Sequence, residues 1–447
     1  MDSKTKRYYA ENNPFIWINR LCDYSRADTL LQFLKSVNKH GLKVEAFRVE
    51  RIEKDLESLK DLDFTDGKKD ISAVMARLEY NLTKAFLRYT AGLYYGFVNP
   101  DNLYNNFEKY EVDSVTSRFR QLCDLKVQRP KDAFYEMAIN KVVNDSLSEF
   151  LNEVQPKSFL YKKLAHRLAE GNITNKGRVK TICNMERCRW KTRAFPVSDA
   201  CEKHVVVNIP SFSLRAFDKT SGQKLFLRIG CGTVEHKTPL LSSRITRMDI
   251  NPQWIVPKSI AKGFVYDYSY MHRMGMFIFD KKLGKLPPES SSYSKIMSGE
   301  QYIIQAGGSK NSLGRIIFRF DNNFSVFLHD TSSPWLFQRS RRAVSHGCVR
   351  VDKPAELAMF LLADKNEKIV EKLNYSMTMP FVNDNDSLTK KKVDKTKIIN
   401  SLSVKPSVPL FITYYTVYYD DSDKLTEYDD VYGYDEPLMQ KLAVIVE

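Results

Sequence analysis

At 447 residues the chain exceeds one ordinary compact domain, so two or three are expected, and its 43% hydrophobic and 12% aromatic content excludes a disordered polymer. Lys and Arg outnumber Asp and Glu by 69 to 54, a formal net charge of +15 that suits an anionic partner. Nucleic acid is set aside, because no zinc-finger spacing, basic-leucine heptad or aromatic RNA-binding strand accompanies the charge.

The first half reads as helical. Over residues 27–37, Leu30, Leu31, Leu34 and Val37 form one stripe, and Gly41 follows as a stop. From Asp70, an expected N-cap, Val74, Leu78, Leu82, Phe86 and Tyr89 recur at the three- and four-residue steps of an amphipathic helix. A further helix is expected over 131–154, with Phe134, Ala138, Val142 and Leu147 or Phe150 inward, and a shorter one over 159–169. Near residue 200 the period changes. Residues 204–208, 213–217 and 224–228 read as strands, with 218–222 as a hairpin connection. Residues 251–299 carry turn residues, aromatics and a Ser-rich piece, and read as an insertion on this β domain. A second hairpin pairs 315–320 with 324–329, and a helix over 355–362 has Asp352 as its expected cap and Pro354 in its first turn. Residues 384–400, with Lys390, Lys391 and Lys392, read as an exposed connection, and 409–419 and 426–432 flank a polar turn at 420–424.

No run of about 18 apolar residues appears, so no membrane span is expected. The opening Met-Asp-Ser-Lys-Thr-Lys lacks the apolar core of a signal peptide, which leaves an intracellular chain or one whose export segment has been removed. The cysteines Cys22, Cys123, Cys183, Cys188, Cys201, Cys231 and Cys348 are sparse, odd in number and without a CxxC pair. Neither a disulfide framework nor a structural zinc site is expected of them.

Residues 327–362 are the most informative. Phe327-Leu328-His329 ends a strand, a basic loop with Arg339, Arg341 and Arg342 follows, and Ser345-His346-Gly347-Cys348-Val349-Arg350 leads towards the next helix. A free thiol is barely ionised near neutral pH and needs a base or a cation to attack an amide. His329, 19 residues earlier (348 − 329), is the expected base, and the helix after Asp352 is expected to favour thiolate at Cys348 through its dipole. Gly347 lets backbone approach a substrate, and the amides of Gly347 and Cys348 are expected to hold an oxyanion. Two other readings compete: an inert core cysteine, and a zinc site of His329, His346 and Cys348 completed by His272 or His236.

His329, a loop, and then Ser345-His346-Gly347-Cys348 resembles the signature of the L,D-transpeptidase catalytic-domain family. Asn208-Ile209-Pro210, Leu214-Arg215, Thr238-Pro239, Ser242-Ser243-Arg244-Ile245 and Asn251-Pro252-Gln253-Trp254 resemble its large Gram-negative branch. So do Val256-Pro257-Lys258-Ser259-Ile260, Asn311-Ser312-Leu313-Gly314-Arg315 and the closing segment 409–435. Ala85-Phe86-Leu87-Arg88-Tyr89, Asn184-Met185-Glu186-Arg187 and Arg189-Trp190 resemble that branch's helical scaffold domain.

The resemblance implies an α+β chain, with a helical scaffold domain over 1–195 and a β-rich catalytic domain over 196–447 that carries a capping insertion at about 247–300. It implies Cys348 as the acylated nucleophile, His329 as base and later acid, and Ser345, His346 and Gly347 as shaping the site. Arg350 is expected to hold a substrate carboxylate, against the alternative of a structural ion pair. Trp254 and Tyr302 are candidates for lining a lid or pocket, against core packing. Arg341 and its neighbours are candidates for contacting substrate carboxylates, against a solvated face. No metal or organic cofactor is implied. The implied partners are peptidoglycan stem peptides (a tetrapeptide donor and a diamino-acid acceptor) and carbapenem β-lactams as inhibitors. The implied location is the periplasm or cell envelope, with peripheral association. The same acyl-enzyme would serve an L,D-carboxypeptidase or a protein-to-wall anchoring enzyme, and a catalytically silent wall-binding scaffold is the alternative of another class. Two departures stand out. Phe327 replaces a tyrosine common in relatives, which removes a hydroxyl donor, and 155–183 is too short for the peptidoglycan-binding module that the branch often inserts there.

Overall fold

The computed structural model describes residues 2–18, 23–63, 70–111, 117–192, 202–362, 366–379 and 394–446. Cys22, Cys201, the expected domain boundary near 195 and the lysines 390–392 lie outside the described residues. The chain divides into two compact units, Met1–Ala200 with Tyr414–Glu447, and Cys201–Thr413.

The first unit is helical. Helices α1 (Asp2–Ala10), α2 (Ser25–Lys35), α3 (Val49–Lys60), α4 (Ile71–Tyr95) and α5 (Pro100–Tyr104) precede three short strands, β1 (Lys109–Glu111), β2 (Ser117–Phe119) and β3 (Cys123–Asp124). Four helices follow: α6 (Asp132–Val143), α7 (Leu147–Glu153), α8 (Phe159–Ala169) and α9 (Asn175–Arg189). The Asp70 side chain accepts the Ser72 amide and caps α4, whose Val74, Leu78, Leu82, Phe86 and Tyr89 are all buried. One helix was expected over 131–154, and two are found. Asp145, between α6 and α7, takes φ 53, a left-handed conformation that ends a right-handed helix.

The second unit opens with β4 (Lys203–Asn208), β5 (Ser213–Asp218), β6 (Lys224–Gly232) and β7 (Leu240–Ile250). The insertion that follows begins after Ile250, the last paired residue of β7. It holds β8 (Trp254–Ile255), α10 (Lys258–Ala261), α11 (Tyr268–Arg273), β9 (Met276–Asp280), β10 (Gly284–Leu286), α12 (Tyr293–Ser298) and β11 (Gln301–Gln305). Its sheet, in the order β10-β9-β11-β8, shares with the three helices a core of its own that includes Val256, Met271, Ile278 and Ile303.

Next come β12 (Ile316–Phe320), β13 (Leu328–His329), β14 (Ala343–Ser345), β15 (Val349–Val351), α13 (Pro354–Leu361), α14 (Glu367–Thr378) and β16 (Ser401–Thr413). The main sheet runs β12-β13-β15-β6-β5-β4-β16-β7, and β12 also pairs with β7, so this path closes on itself. Closure satisfies strand edges that would otherwise be left open. Most pairings are antiparallel, but β13 lies parallel to β15, β16 to β4, and β14 to β6.

The C-terminal segment corrects the expected domain boundary. Residues 414–446, with the hairpin β17 (Val417–Tyr419) and β18 (Leu425–Glu427) and helix α15 (Asp435–Leu442), belong to the first unit rather than to the catalytic β domain. The physical reason is a buried polar seam with α9. Arg187 pairs with Asp435 at 2.5 Å and lies over the Tyr414 ring, and Asp435 also accepts the Thr416 hydroxyl at 2.8 Å. Asn184 bonds both the amide and the hydroxyl of Thr416.

Candidate functional site

His329 and Cys348 are brought together by the parallel pair β13–β15, in which Leu328 faces Val349 and His329 faces Arg350. The Val349 amide donates to the Phe327 carbonyl at 2.9 Å, which extends the pairing to the residue beside Cys348. Side chains alternate along a strand, so Phe327, His329, Cys348 and Arg350 share one face, while Leu328, Val349 and Val351 are fully buried on the other. A strand spacing of about 4.8 Å and a two-residue step of about 6.6 Å put the His329 and Cys348 Cα atoms about 8 Å apart on a diagonal. That diagonal is short enough for an imidazole and a thiol to meet.

The imidazole is oriented from behind. Nδ1 of His329 contacts the Asp330 carbonyl, and a carbonyl only accepts, so Nδ1 carries the proton; the Leu313 backbone also bonds the ring. Asp330 is held in turn: its carboxylate accepts the Arg315 and Thr331 amides, both at 2.7 Å. Gly314 makes room for it, since a Cβ there would stand 2.4 Å from the Asp330 carboxyl carbon, and its φ is 63°.

The nucleophile loop is fastened by two hydroxyls. Ser345, buried, donates to the Cys348 carbonyl at 2.6 Å and accepts the Gly347 amide at 3.1 Å. Thr238, buried at the start of the turn into β7, donates to the Gly347 carbonyl at 2.8 Å and accepts the Gly232 amide at 2.9 Å. The Thr233 amide binds the Ser345 carbonyl at 2.9 Å. Gly347 has φ 111, a conformation that residues with a side chain rarely adopt, so backbone geometry requires the glycine. The expectation that the Gly347 amide holds an oxyanion is corrected: Ser345 already occupies it. Thr238, which the sequence singled out only within the Thr238-Pro239 pair, is thus bonded directly to the loop that carries Cys348.

The resting charge state also differs from expectation. Burial raises the Cys348 thiol above its ordinary value of 9.0, only partly offset by the Phe327 backbone and the nearby Arg350 and Arg319. Burial, and then the charge of Arg350, lowers His329 to about 4. The pair is therefore neutral thiol and neutral imidazole at pH 7. The helix dipole does not reach the thiol, because β15 intervenes and α13 begins only at Pro354, without a side-chain cap from Asp352.

Arg350 is half-buried beside the sulfur. Burial depresses its guanidinium, its Nε is buried without a partner, and among the described residues it pairs with no carboxylate. Arg319, by contrast, is paired with Asp249 at 2.7 Å and lies 4.5 Å over the Phe327 ring.

The other sequence candidates separate. His346 is exposed and stacks on His236 with ring centroids 4.7 Å apart. Among the described residues no cluster of His, Cys, Asp and Glu has the arrangement of a metal site, and His272 instead bonds Glu289. Trp254 packs against the insertion's own core, and Tyr302 lies in its sheet with Lys281 over the ring. In the basic loop Arg342 is structural, donating to the Ile229, Arg339 and Phe212 carbonyls, and Arg339 lies over Trp335. Arg341 is exposed and helps to lower the carboxyl of Glu235.

A closed β domain with one buried imidazole and one thiol on a shared strand face defines a cysteine–histidine site on an α+β chain. Residues 202–378 match the L,D-transpeptidase catalytic domain and residues 3–168 match the Scaffold domain. A Haemophilus influenzae protein described as "Putative L,D-transpeptidase" is 24% identical over 372 residues, covering 80% of this chain and 69% of that protein. A solved structure described as "Structure of the Ldtfm-avibactam carbamoyl enzyme" aligns with 63% of this chain and 78% of its own, at 10% identity and a TM-score of 0.25.

Proposed function

We propose that this chain cross-links peptidoglycan stem peptides through a thioester on Cys348, in the periplasm or cell envelope, with the insertion between β7 and β12 as a substrate cap. The observation that supports the reading is the shared face of β13 and β15, on which His329 and Cys348 lie one diagonal step apart, with Nδ1 of His329 turned to the Asp330 carbonyl. The Cys348 proton passes to Nε2 as Sγ adds to the carbonyl carbon of the third stem residue, forming a tetrahedral oxyanion. The His329 imidazolium returns that proton to the nitrogen of the terminal D-Ala as the C–N bond breaks, leaving the thioester. The side-chain amine of a second stem then adds to the thioester carbonyl and gives its proton to Nε2. The thiolate leaves, regains that proton, and a 3–3 cross-link remains. The Cys348 amide receives the oxyanion, and Arg350, the unpaired cation at the sulfur, receives a donor carboxylate.

The test is intact-protein mass spectrometry after incubation with a carbapenem, comparing wild type with Cys348→Ala, followed by product analysis with tetrapeptide muropeptides. One adduct on wild type, none on the variant, and 3–3 dimers among the products are expected. Tripeptide alone would make it an L,D-carboxypeptidase, and no adduct on wild type would remove the acyl-enzyme.

A further inference from the structure

The backbone of the nucleophile loop can be accounted for group by group. The Ser345 carbonyl goes to the Thr233 amide, the Gly347 amide to Ser345 Oγ, the Gly347 carbonyl to Thr238 Oγ1, and the Cys348 carbonyl to Ser345 Oγ. The amides of His346 and Cys348 have no protein acceptor among the described residues, and that of Cys348 lies directly beside the sulfur. A carbonyl and the amide that follows it share one planar trans peptide unit and point in opposite directions. The peptide between Gly347 and Cys348 is trans, the Lys405–Pro406 bond being the cis one found. Whatever grips the Gly347 carbonyl therefore also aims the Cys348 N–H.

We infer that Thr238 is a positioning residue for the oxyanion hole: by holding the Gly347 carbonyl, its hydroxyl turns the Cys348 N–H towards the carbonyl oxygen of the acyl donor. The inference rests on the acyl-transfer reading above. Thr238 suits the task because it is itself anchored. It is fully buried, and its hydroxyl accepts the Gly232 amide while donating to Gly347, so the donated proton has one direction to point. The Gly232 side of this clamp is tight as well, since a Cβ there would lie 1.9 Å from the His236 carbonyl. A freely turning peptide would spend its amide on solvent. A clamped one is preorganised where charge develops, and a single such donor is typically worth about 10²–10³-fold in rate.

The experiment compares wild type, Thr238→Val and Thr238→Ser. Each is tested for carbapenem acylation by intact mass, for steady-state turnover of a tetrapeptide donor, and for iodoacetamide alkylation of Cys348 as a function of pH. Alkylation displaces iodide at a saturated carbon and develops no oxyanion, so it reads the thiol and the fold of the loop alone. For Thr238→Val we expect acylation to fall by about 10–10²-fold, with the loss in kcat rather than KM and with the alkylation profile unchanged. Thr238→Ser restores most of the rate. Wild-type acylation in Thr238→Val, a parallel loss of alkylation, or a Ser variant as impaired as the Val variant would each overturn the assignment. A wild-type protein that is alkylated but takes no adduct from carbapenem or tetrapeptide would instead remove the acyl-transfer reading, and this assignment with it.

Discussion

At Cys348 burial favours the neutral thiol, the unreactive form of the proposed nucleophile. Burial keeps the thiol protonated, and the same burial, helped by Arg350, keeps His329 at about 4. The imidazole is thus a proton acceptor over the whole neutral range, and the thiolate exists only as the proton moves across. The pH dependence follows with a definite sign. A base whose folded value lies below 6.5 stays unprotonated until the pH falls through that lower value, so carbapenem acylation keeps its rate through pH 6 and is lost only towards pH 4. Alkylation by iodoacetamide needs preformed thiolate and climbs past pH 9, because the thiol is raised above its ordinary 9.0. Rates of adduct formation after short pH jumps would show both limbs. An acylation limb near 6.5 would mean an ion pair in place of the neutral pair. The proposed nucleophile and base could be singled out in the sequence, because Ser-His-Gly-Cys after a strand-ending histidine is a compact pattern. Their ionisation could not, because burial is set by strands that pack from far along the chain. Thr238 and Arg319 escaped for the same reason: β12 brings Arg319 near the sulfur, and Thr238 meets the Gly347 carbonyl from 109 residues earlier in the chain.

At the scale of elements, the precision of the site depends on connections more than on strands. The loop between β11 and β12 backs the imidazole: Asn311 binds the Ala306 and Pro252 carbonyls, Gly314 leaves space for Asp330, and the Asp330 carbonyl orients His329. Gly314→Ala meets two penalties at once, a side chain at φ 63 and a Cβ driven into the Asp330 carboxylate. We expect it to cost about 1–3 kcal/mol in stability and to lower kcat for tetrapeptide by more than that stability loss explains, with KM little changed. Chemical denaturation beside steady-state kinetics separates the two effects. Unchanged kcat in a destabilised variant would show that the loop supports the fold without aiming the base. Sequence periodicity reached the antiparallel β12–β13 hairpin because its partners are close in the chain. It missed the break between α6 and α7, where Asn144, Asp145 and Ser146 favour a turn while the apolar period carries on through Leu147 and Phe150.

At the scale of the whole molecule, the chain leaves the β domain after Thr413 and returns to the helical unit it began in. The strand-like residues after 409 gave no sign of this, because a hairpin reads alike in either unit. What commits the segment is the buried ion pair Arg187–Asp435, with Asn184 and Thr416 bonded around it. Such a pair adds little over an apolar replacement, yet removing one partner strands a charge away from water and costs about 3–5 kcal/mol. Asp435→Asn is therefore expected to destabilise the helical unit by about that amount, whereas the double variant Arg187→Met, Asp435→Leu loses less than the single one. Scanning calorimetry on the full chain would place the loss. A transition that moves down in Asp435→Asn while Cys348 still takes a carbapenem adduct just above it would show the β domain folded after the helical unit has melted. Simultaneous loss of the adduct and of the whole heat signal would mean that the two units unfold as one.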